Sequence, residues 1–474
     1  MKNKLSIFFD LALKNLIIIY FFATYVPYFV GAFKPLRIVF SISSFSIVYR
    51  CVLSLLFFAL SIYYVKKNRN QIYNFKLIVI FSLIAIFLFA IAVSLPQNLY
   101  VRHNIPNQNT IIDATVNIGL EDRLVGFLNS LFDIYFAFFV LFNRKVLFDK
   151  KRLNTFLLIV LCLGILECLL TFALDFSDYK NLLVGNFENI YKINISGTFQ
   201  SKNGLGFFLF QSVIACIILI GISENKKHRI LYFVSLGFMN LVLVFTICKT
   251  SIIISFVLSI VCTLLFLIAK KNKIGLLVFA SCLIVVSLIV LLIVSTKTFD
   301  SIDFIFKLKD KLLSALSSST EATIIERLKI WYEAFYLMES PYLFFGYSSK
   351  EITSVLLVVV DDTLFSTSFH NGFICVLTNF GVLGLLIYLS LIGLSFNRII
   401  RIKDKTTKLL MTNIYLASLM YTCFESLYLF FNGSPTISFQ TMLIICSPYV
   451  FGFVEKNSKI FNHEFNKEFT IINI

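Results

Sequence analysis

The feature that most constrains this chain is a series of apolar segments that recurs from near the N terminus almost to the C terminus. An α-helix needs about 20 apolar residues to cross a bilayer, and it satisfies its own backbone hydrogen bonds there. We place about twelve such segments. They lie at residues 11–30, 44–65, 76–95, 124–142, 153–174, 204–222, 230–247, 252–269, 274–295, 370–394, 409–431 and 437–454. The sequence therefore predicts an all-α integral membrane protein with about 12 transmembrane helices.

The charge distribution sets the predicted orientation. Hydrophobic residues make up 58% of the chain and charged residues only 14%, which is outside the range of soluble domains. The net charge of +16 would suit nucleic acid, but the Lys and Arg residues form short clusters between apolar segments, as in multi-pass membrane proteins. The main clusters are Lys66–Arg69, Arg144–Arg152, Lys226–Arg229, Lys270–Lys273 and Arg398–Lys408. All of them fall on the side of the N terminus, which is therefore predicted to be cytoplasmic.

This topology predicts a simple organisation. Residues 1–295 hold nine helices and two external loops, at 97–123 and 175–203. Residues 296–369 form a large external loop, residues 370–454 hold the last three helices, and residues 455–474 are a cytoplasmic tail. We find no internal repeat, and the uneven loop lengths disfavour a transporter built from two equivalent halves.

The large external loop contains an amphipathic run, Thr323–Met338. At roughly 100° per residue, its apolar residues form one stripe, and Arg327 lies roughly 50° from the centre of that stripe. Arg327 then either meets an anionic ligand on the packed side of the helix or lies along the surface and reaches lipid headgroups. The predicted stripe consists of Ile324, Leu328, Trp331, Phe335 and Met338.

Ionisable groups near the membrane allow more than one interpretation. His370 stands at the predicted outer start of the tenth helix, where free backbone N–H groups favour an anion, although an isolated histidine at a helix start is more often structural. Three acids, Asp133, Glu167 and Glu425, fall within predicted helices. They indicate either a proton path or buried hydrogen-bonded groups. The chain has no nucleotide-binding loop of the GxxxxGK[ST] type and no zinc-binding Cys/His pattern.

Two further stretches lie on the predicted outer face. Ser196–Gly206 places small and polar residues, including Lys202 and Asn203, at the start of the sixth helix, where glycines allow a ligand to approach the backbone or simply form a turn. The turn between the seventh and eighth helices carries Lys249, which is either a phosphate contact or an anchor that extends to the interface.

An ordered set of motifs resembles a known family. The segment Gly197-Thr-Phe with Lys202-Asn-Gly, the turn Lys249-Thr-Ser, the helix Glu326-Arg-x-x-x-Trp331 and the pair His370-Asn371 before Gly381 are similar to the O-antigen ligase and Wzy-type polymerase superfamily. The resemblance covers roughly residues 195–389. Lys249 stands where ligases typically have arginine, which is more similar to the polymerases. Gly346-Tyr-Ser lacks a second glycine that is often found there.

The resemblance implies a GT-C-like fold and a metal-independent glycosyltransferase without cofactors. It implies a bacterial cytoplasmic (inner) membrane location, with an active site on the periplasmic face, and a role in O-antigen or capsule biosynthesis. It assigns His370, Arg327 and Lys249 to catalysis and Thr198, Lys202, Asn203 and Asn371 to substrate binding. The implied partners are a polyprenyl-pyrophosphate-linked glycan donor and acceptor, membrane lipid and, as a candidate, a chain-length regulator protein. Nucleic acid is not among them.

Two other functions compete with polymerisation of lipid-linked repeat units. An O-antigen ligase would use the same donor and transfer the glycan to lipid A-core. A flippase or other exporter of lipid-linked glycans should line its helices with charge and has no need of a long external loop with an inward arginine. The sequence therefore favours a transferase.

Overall fold

Most of the described chain is helical. The computed structural model describes residues 7–8, 11–12, 15–31, 52, 56, 59–60, 63, 98–105, 110–117, 150–184, 194–199, 201–223, 225–246, 248–269, 281, 327–328, 330–332, 334–335, 338, 341–346, 358–361, 364–366, 369–403 and 405–425. The helices are α1 (Leu16–Gly31), α2 (Lys150–Leu174), α3 (Phe176–Val184), α4 (Lys202–Ile222), α5 (Lys226–Thr246), α6 (Lys249–Ala269), α7 (Tyr342–Phe345), α8 (Gly372–Ile400) and α9 (Lys405–Phe424).

Five helices in the described part of the chain are long and apolar enough to cross a membrane. They are Arg152–Leu174, Lys202–Ile222, Lys226–Thr246, Lys249–Ile268 and Gly372–Ser390. Each coincides with one of the predicted segments, and α1 and α9 overlap two more. The predicted segments 76–95, 124–142 and 437–454 lie outside the described residues, and 44–65 and 274–295 contain only scattered described positions. A helical membrane protein is confirmed, and the count of about 12 stays a prediction.

Two short antiparallel hairpins add to the predicted all-α fold. Strand β1 (Asn98–Ile105) pairs with β2 (Thr110–Asn117), and β3 (Val358–Asp361) pairs with β4 (Leu364–Ser366). They fall in the first and third of the predicted external loops. The sequence Pro106-Asn-Gln-Asn109 between two alternating apolar runs is a turn signal that could have indicated the first hairpin.

The chain divides into two compact units. One consists of Met1–Phe156, Arg327–Arg401 and Ser418–Ile474, and the other of Leu157–Glu326 and Ile402–Ala417. In the second unit α4 packs against both α5 and α6, and its residues from Leu205 to Ile220 are all buried. This helix forms the core of its unit, and its start is therefore held firmly in place.

In the first unit the short helix α7 packs against α8 through two glycines. Gly346 ends α7 and Gly381 kinks α8, with φ angles of 69° and 67°. A Cβ on Gly346 would collide with the backbone of Asn379 and Phe380, and one on Gly381 would collide with the backbone of Phe344. The two backbones can therefore touch only because both positions lack a side chain.

Candidate active site

His370 has an unusual backbone. It is the one non-glycine residue with positive φ among the described residues, at 48°. For an L-residue this left-handed conformation costs roughly 1–2 kcal/mol, and such conformations persist where the surrounding structure imposes them, often at functional sites. The start of α8 thus fixes His370 in a conformation that it would not choose alone.

The residues on either side of His370 are held by hydrogen bonds. The indole Nε1–H of Trp331 donates to the carbonyl oxygen of Phe369 at 2.8 Å. On the other side, the side-chain oxygen of Asn371 caps α8, because it accepts from the backbone N–H groups of Phe373 and Ile374 at 2.9 and 3.2 Å. Asn371 is buried and its oxygen is engaged in this cap, and the substrate contact predicted for this residue stays a prediction.

Glu425 lies next to the imidazole. Its Oε2 is 3.9 Å from Nδ1 of His370. The carboxylate side chain is only 9% exposed, whereas the histidine side chain is 34% exposed. The sequence predicted Glu425 inside a membrane helix and gave it no partner, but the structure places it directly after the end of α9, beside the predicted base.

Arg327 is half-buried, and the packed side of its helical stretch differs from the predicted one. Ile330, Ala334 and Met338 are buried, whereas Leu328 and Phe335 of the predicted stripe are more than half exposed. At roughly 100° per residue, the buried residues centre within roughly 20° of the direction of Arg327 and about 80° from the centre of the predicted stripe. The predicted composition of the packed face was therefore partly wrong.

The guanidinium of Arg327 contacts the end of α9. Its Nη1–H donates to the carbonyl oxygen of Phe424 at 3.1 Å. The last carbonyls of a helix have no partner within the helix and carry partial negative charge, so a cation there is favourable. This bond uses one of the five N–H donors of a guanidinium. Arg327 thereby holds the residue that precedes Glu425.

In the other unit, two carboxylates hold the loop that precedes α4. Glu167 accepts from the hydroxyl of Thr198 at 2.6 Å and from its backbone N–H at 3.2 Å. Asp175 accepts from the backbone N–H groups of Ser196 and Gly197 at 2.8 and 2.7 Å. Thr198 is buried with its hydroxyl engaged, so its position suits a shaping role at the start of α4.

The carboxyl of Asp175 illustrates how burial and hydrogen bonds compete. Burial raises its pKa above the ordinary value, the N–H donors of Gly197 and Ser196 lower it, and the nearby charge of Asp178 raises it again. The net effect is a raised pKa.

Helices α4 and α6 begin side by side. The thiol of Cys248 lies 3.4 Å from the side-chain oxygen of Asn203, and a Cβ on Gly206 would collide with Ser251. Lys202 and Lys249 are the first residues of the two helices, and neither helix has an acidic residue in its first turn. Two helix N termini and two lysines thus combine their positive potential, which suits a phosphate.

The structure thus forms two groups of predicted residues, each within its own unit. His370, Arg327 and Asn371 belong to the first, together with Glu425 and Trp331. Thr198, Lys202, Asn203 and Lys249 belong to the second, together with Glu167 and Asp175. Within the described residues, no group of three or more His, Cys, Asp or Glu could hold a metal ion. The chemical roles of all these residues stay predictions.

Comparison with protein families gives a match over part of the chain. Residues 234–389 match the O-antigen ligase family model, Wzy_C. The resemblance seen in the sequence is confirmed over this segment, which ends where the motifs end and begins later than the predicted residue 195. The O-antigen ligase segment includes Lys249, Arg327, His370 and Asn371, and it excludes Thr198, Lys202, Asn203 and Glu425. The match supports an enzyme of the ligase or polymerase type without choosing between them. A search of curated proteins found no match.

Proposed function

We propose that this protein is a polysaccharide polymerase that joins polyprenyl-pyrophosphate-linked oligosaccharide repeat units at the outer face of the bacterial cytoplasmic membrane. The observation that carries the proposal is His370, a strained histidine within the O-antigen ligase segment whose two neighbours are pinned by hydrogen bonds. A polysaccharide such as O-antigen or capsule is the expected product.

The proposed reaction is a glycosyl transfer. A hydroxyl oxygen of the acceptor glycan attacks the anomeric carbon of the donor, and the bond from that carbon to the pyrophosphate oxygen breaks. His370 accepts the proton of the attacking hydroxyl, since an imidazole exchanges protons near neutral pH. The polyprenyl pyrophosphate leaves with the bonding electron pair, so atoms and charge balance.

The pyrophosphate leaving group is stabilised by nearby positive charge. Negative charge develops on the pyrophosphate as the glycosidic bond breaks, and fixed cations that face this charge lower the barrier. We assign Arg327 and Lys249 to this task. The half-buried Arg327 already donates to a carbonyl oxygen, and the exposed Lys249 begins α6 at a helix N terminus that favours anions. Lys202 and Asn203 would contact donor oxygens beside Lys249, and Thr198 and Asn371 are also assigned to substrate binding.

A second candidate is the O-antigen ligase, which the description of the matched family favours. Its chemistry at the donor would be the same, and its acceptor would be lipid A-core. Lys249 favours the polymerase, because ligases of this superfamily typically have arginine at that position.

The glycan length distribution in a strain that lacks this protein tests the proposal. If the protein is a polymerase, a strain that lacks it should carry a single repeat unit on the acceptor. Complete loss of glycan from the acceptor would indicate a ligase, and lipid-linked repeats trapped on the cytoplasmic side would indicate a flippase. Either of the last two results would overturn the proposal that this protein is a polymerase.

A further inference from the structure

We propose that Glu425 is a positioning residue for His370: its carboxylate accepts the Nδ1 proton of the imidazole and leaves Nε2 unprotonated to receive the proton of the acceptor hydroxyl. The inference rests on the proposed role of His370 as general base. Nothing in the sequence assigned a role to Glu425, and it lies outside the matched family segment.

Burial distinguishes the two nitrogens of the ring. Nδ1 of His370 is inaccessible to solvent, although about a third of the side chain is exposed. The exposed part therefore lies elsewhere on the ring. Because Nδ1 is the atom nearest to Oε2 of Glu425, the buried edge faces the carboxylate and the open edge is left for a substrate.

The distance between the two groups is that of an ion pair without a close hydrogen bond. At 3.9 Å, Nδ1 and Oε2 are within ion-pair range but beyond hydrogen-bond range. Catalytic hydrogen bonds are often long in the free protein and shorten in the complex with substrate. We expect the contact between His370 and Glu425 to shorten when substrate binds.

One helical stretch holds both members of the pair. Trp331 donates to the carbonyl oxygen of Phe369, the residue before His370, and Arg327 donates to the carbonyl oxygen of Phe424, the residue before Glu425. Arg327 and Trp331 are four residues apart, so they lie one turn apart on the same face. The backbone N–H of Glu425 also donates to the carbonyl oxygen of Tyr421 at 3.1 Å.

These contacts serve a chemical need. A neutral imidazole carries one proton, and the hydrogen bond made by one nitrogen decides which nitrogen holds it. A carboxylate can only accept, so it selects the Nδ1–H tautomer and makes Nε2 the acceptor. When Nε2 takes the hydroxyl proton, the ring becomes a cation, and the buried carboxylate stabilises it.

The test uses full-length protein purified in lipid nanodiscs with lipid-linked repeat units. We expect Glu425→Gln to lower kcat by about 100-fold or more, because the amide can donate to Nδ1 and favour the wrong tautomer. Donor binding and the KM for the acceptor should stay within about twofold of the wild-type values, because the pyrophosphate contacts are untouched. Glu425→Asp should retain more kcat than Glu425→Gln. A Glu425→Gln variant that binds donor and keeps a kcat within about threefold of wild type overturns the inference.

His370→Gln separates this inference from the proposed function. If His370→Gln is inactive and Glu425→Gln is normal, His370 acts as a base without help from Glu425. If His370→Gln turns over normally, the base assignment itself fails.

A spectroscopic measurement covers the case in which Glu425 variants fail to fold. The chain has four histidines, and replacing His103, His228 and His463 with Gln leaves the imidazole of His370 as the one signal. Its ¹⁵N spectrum, recorded at a pH where the ring is neutral, should show the Nδ1–H tautomer. A predominant Nε2–H tautomer overturns the inference.

Discussion

His370 combines a left-handed backbone, a partly open ring and a buried carboxylate neighbour. The sequence indicated the residue and its place at a helix start, because His370-Asn371 precedes a long apolar run. It could not indicate Glu425 as the partner, since the two residues are distant in the chain and no spacing rule connects them. The left-handed backbone of His370 was also beyond prediction, because no pattern in the sequence indicates it.

Arg327→Lys tests whether the planar guanidinium matters. A lysine can keep a single bond to the carbonyl oxygen of Phe424, but it loses the fork that can hold a second acceptor at the same time. We expect glycan transfer by the purified protein to fall roughly 10-fold or more, and Arg327→Ala to cost about 100- to 1,000-fold.

Tyr332→Ala is the matched control for that prediction, because Tyr332 lies in the same helical stretch and is 69% exposed. If Arg327→Ala is present at the wild-type protein level and transfers glycan normally, Arg327 is only an anchor at the membrane interface.

Asp175 offers a test of the loop that precedes α4. Asp175→Ala leaves the N–H groups of Ser196 and Gly197 without their acceptor, so we expect it to destabilise the protein by about 1–3 kcal/mol. Asp175→Asn keeps an oxygen in place. Because burial raises the pKa of Asp175 in the folded state, its ionised form is disfavoured there relative to the unfolded chain.

The sign of the pH effect follows from that raised pKa. The contribution of the raised pKa of Asp175 to the free energy of unfolding is fully present below the ordinary pKa of 3.8. It is lost as the pH rises through the folded-state pKa. At neutral pH, Asp175→Asn should therefore match or exceed the wild-type Tm, and this advantage should disappear as the pH falls through the raised pKa towards 3.8. A Tm advantage that grows on acidification would contradict the assigned cause.

At the scale of elements, hydrophobic periodicity located helices better than it located their packed faces. Apolar segments predicted the five helices that are long and apolar enough to cross a membrane, with ends within about four residues. The same reasoning placed Leu328 and Phe335 on the packed face of the Arg327 helix, where the structure instead buries Ile330 and Ala334. In a protein surrounded by lipid, apolar side chains can face outward as readily as inward, so hydrophobicity alone does not identify the packed side.

The kink in α8 provides a prediction at this scale. Gly381 has φ 67° and ψ −171°, a region open essentially only to glycine, and it touches the backbone of Phe344. We expect Gly381→Ala to cost more than about 3 kcal/mol, because the strain and the collision add. The readout is the Tm of the purified protein.

Gly393→Ala in the same helix is the matched control, since nothing lies within 4 Å of its added Cβ. It should leave the Tm unchanged or raise it slightly, because alanine favours a helix over glycine by about 1 kcal/mol. Equal Tm values for both variants would mean that the contact between α7 and α8 contributes little.

At the scale of the whole molecule, sequence reasoning predicted the class and the family resemblance that the match over residues 234–389 confirms, because both depend on features that repeat or occur in order. Apolar length and basic clusters are local properties that need no tertiary information. Pairs such as Thr198 with Glu167 and Asn203 with Cys248 arise only when distant segments fold together. The sequence therefore located Thr198, Asn203 and Lys249 but not the contacts that position them.

Topology is the prediction on which the proposed outer-face chemistry depends. Helix α5 begins at Lys226 and ends at Thr246, and α6 begins at Lys249, so one crossing separates Lys227 from Lys249. The basic clusters then require Lys227 and Lys271 to be cytoplasmic and Lys249 to be external, where a lipid-linked donor would meet it. Reporter fusions at Lys66, Lys150, Lys227, Lys271 and Lys403 should read cytoplasmic, and fusions within residues 97–123 or 296–369 should read external. An external signal at Lys271 would place Lys249 on the cytoplasmic side and remove it from the proposed reaction.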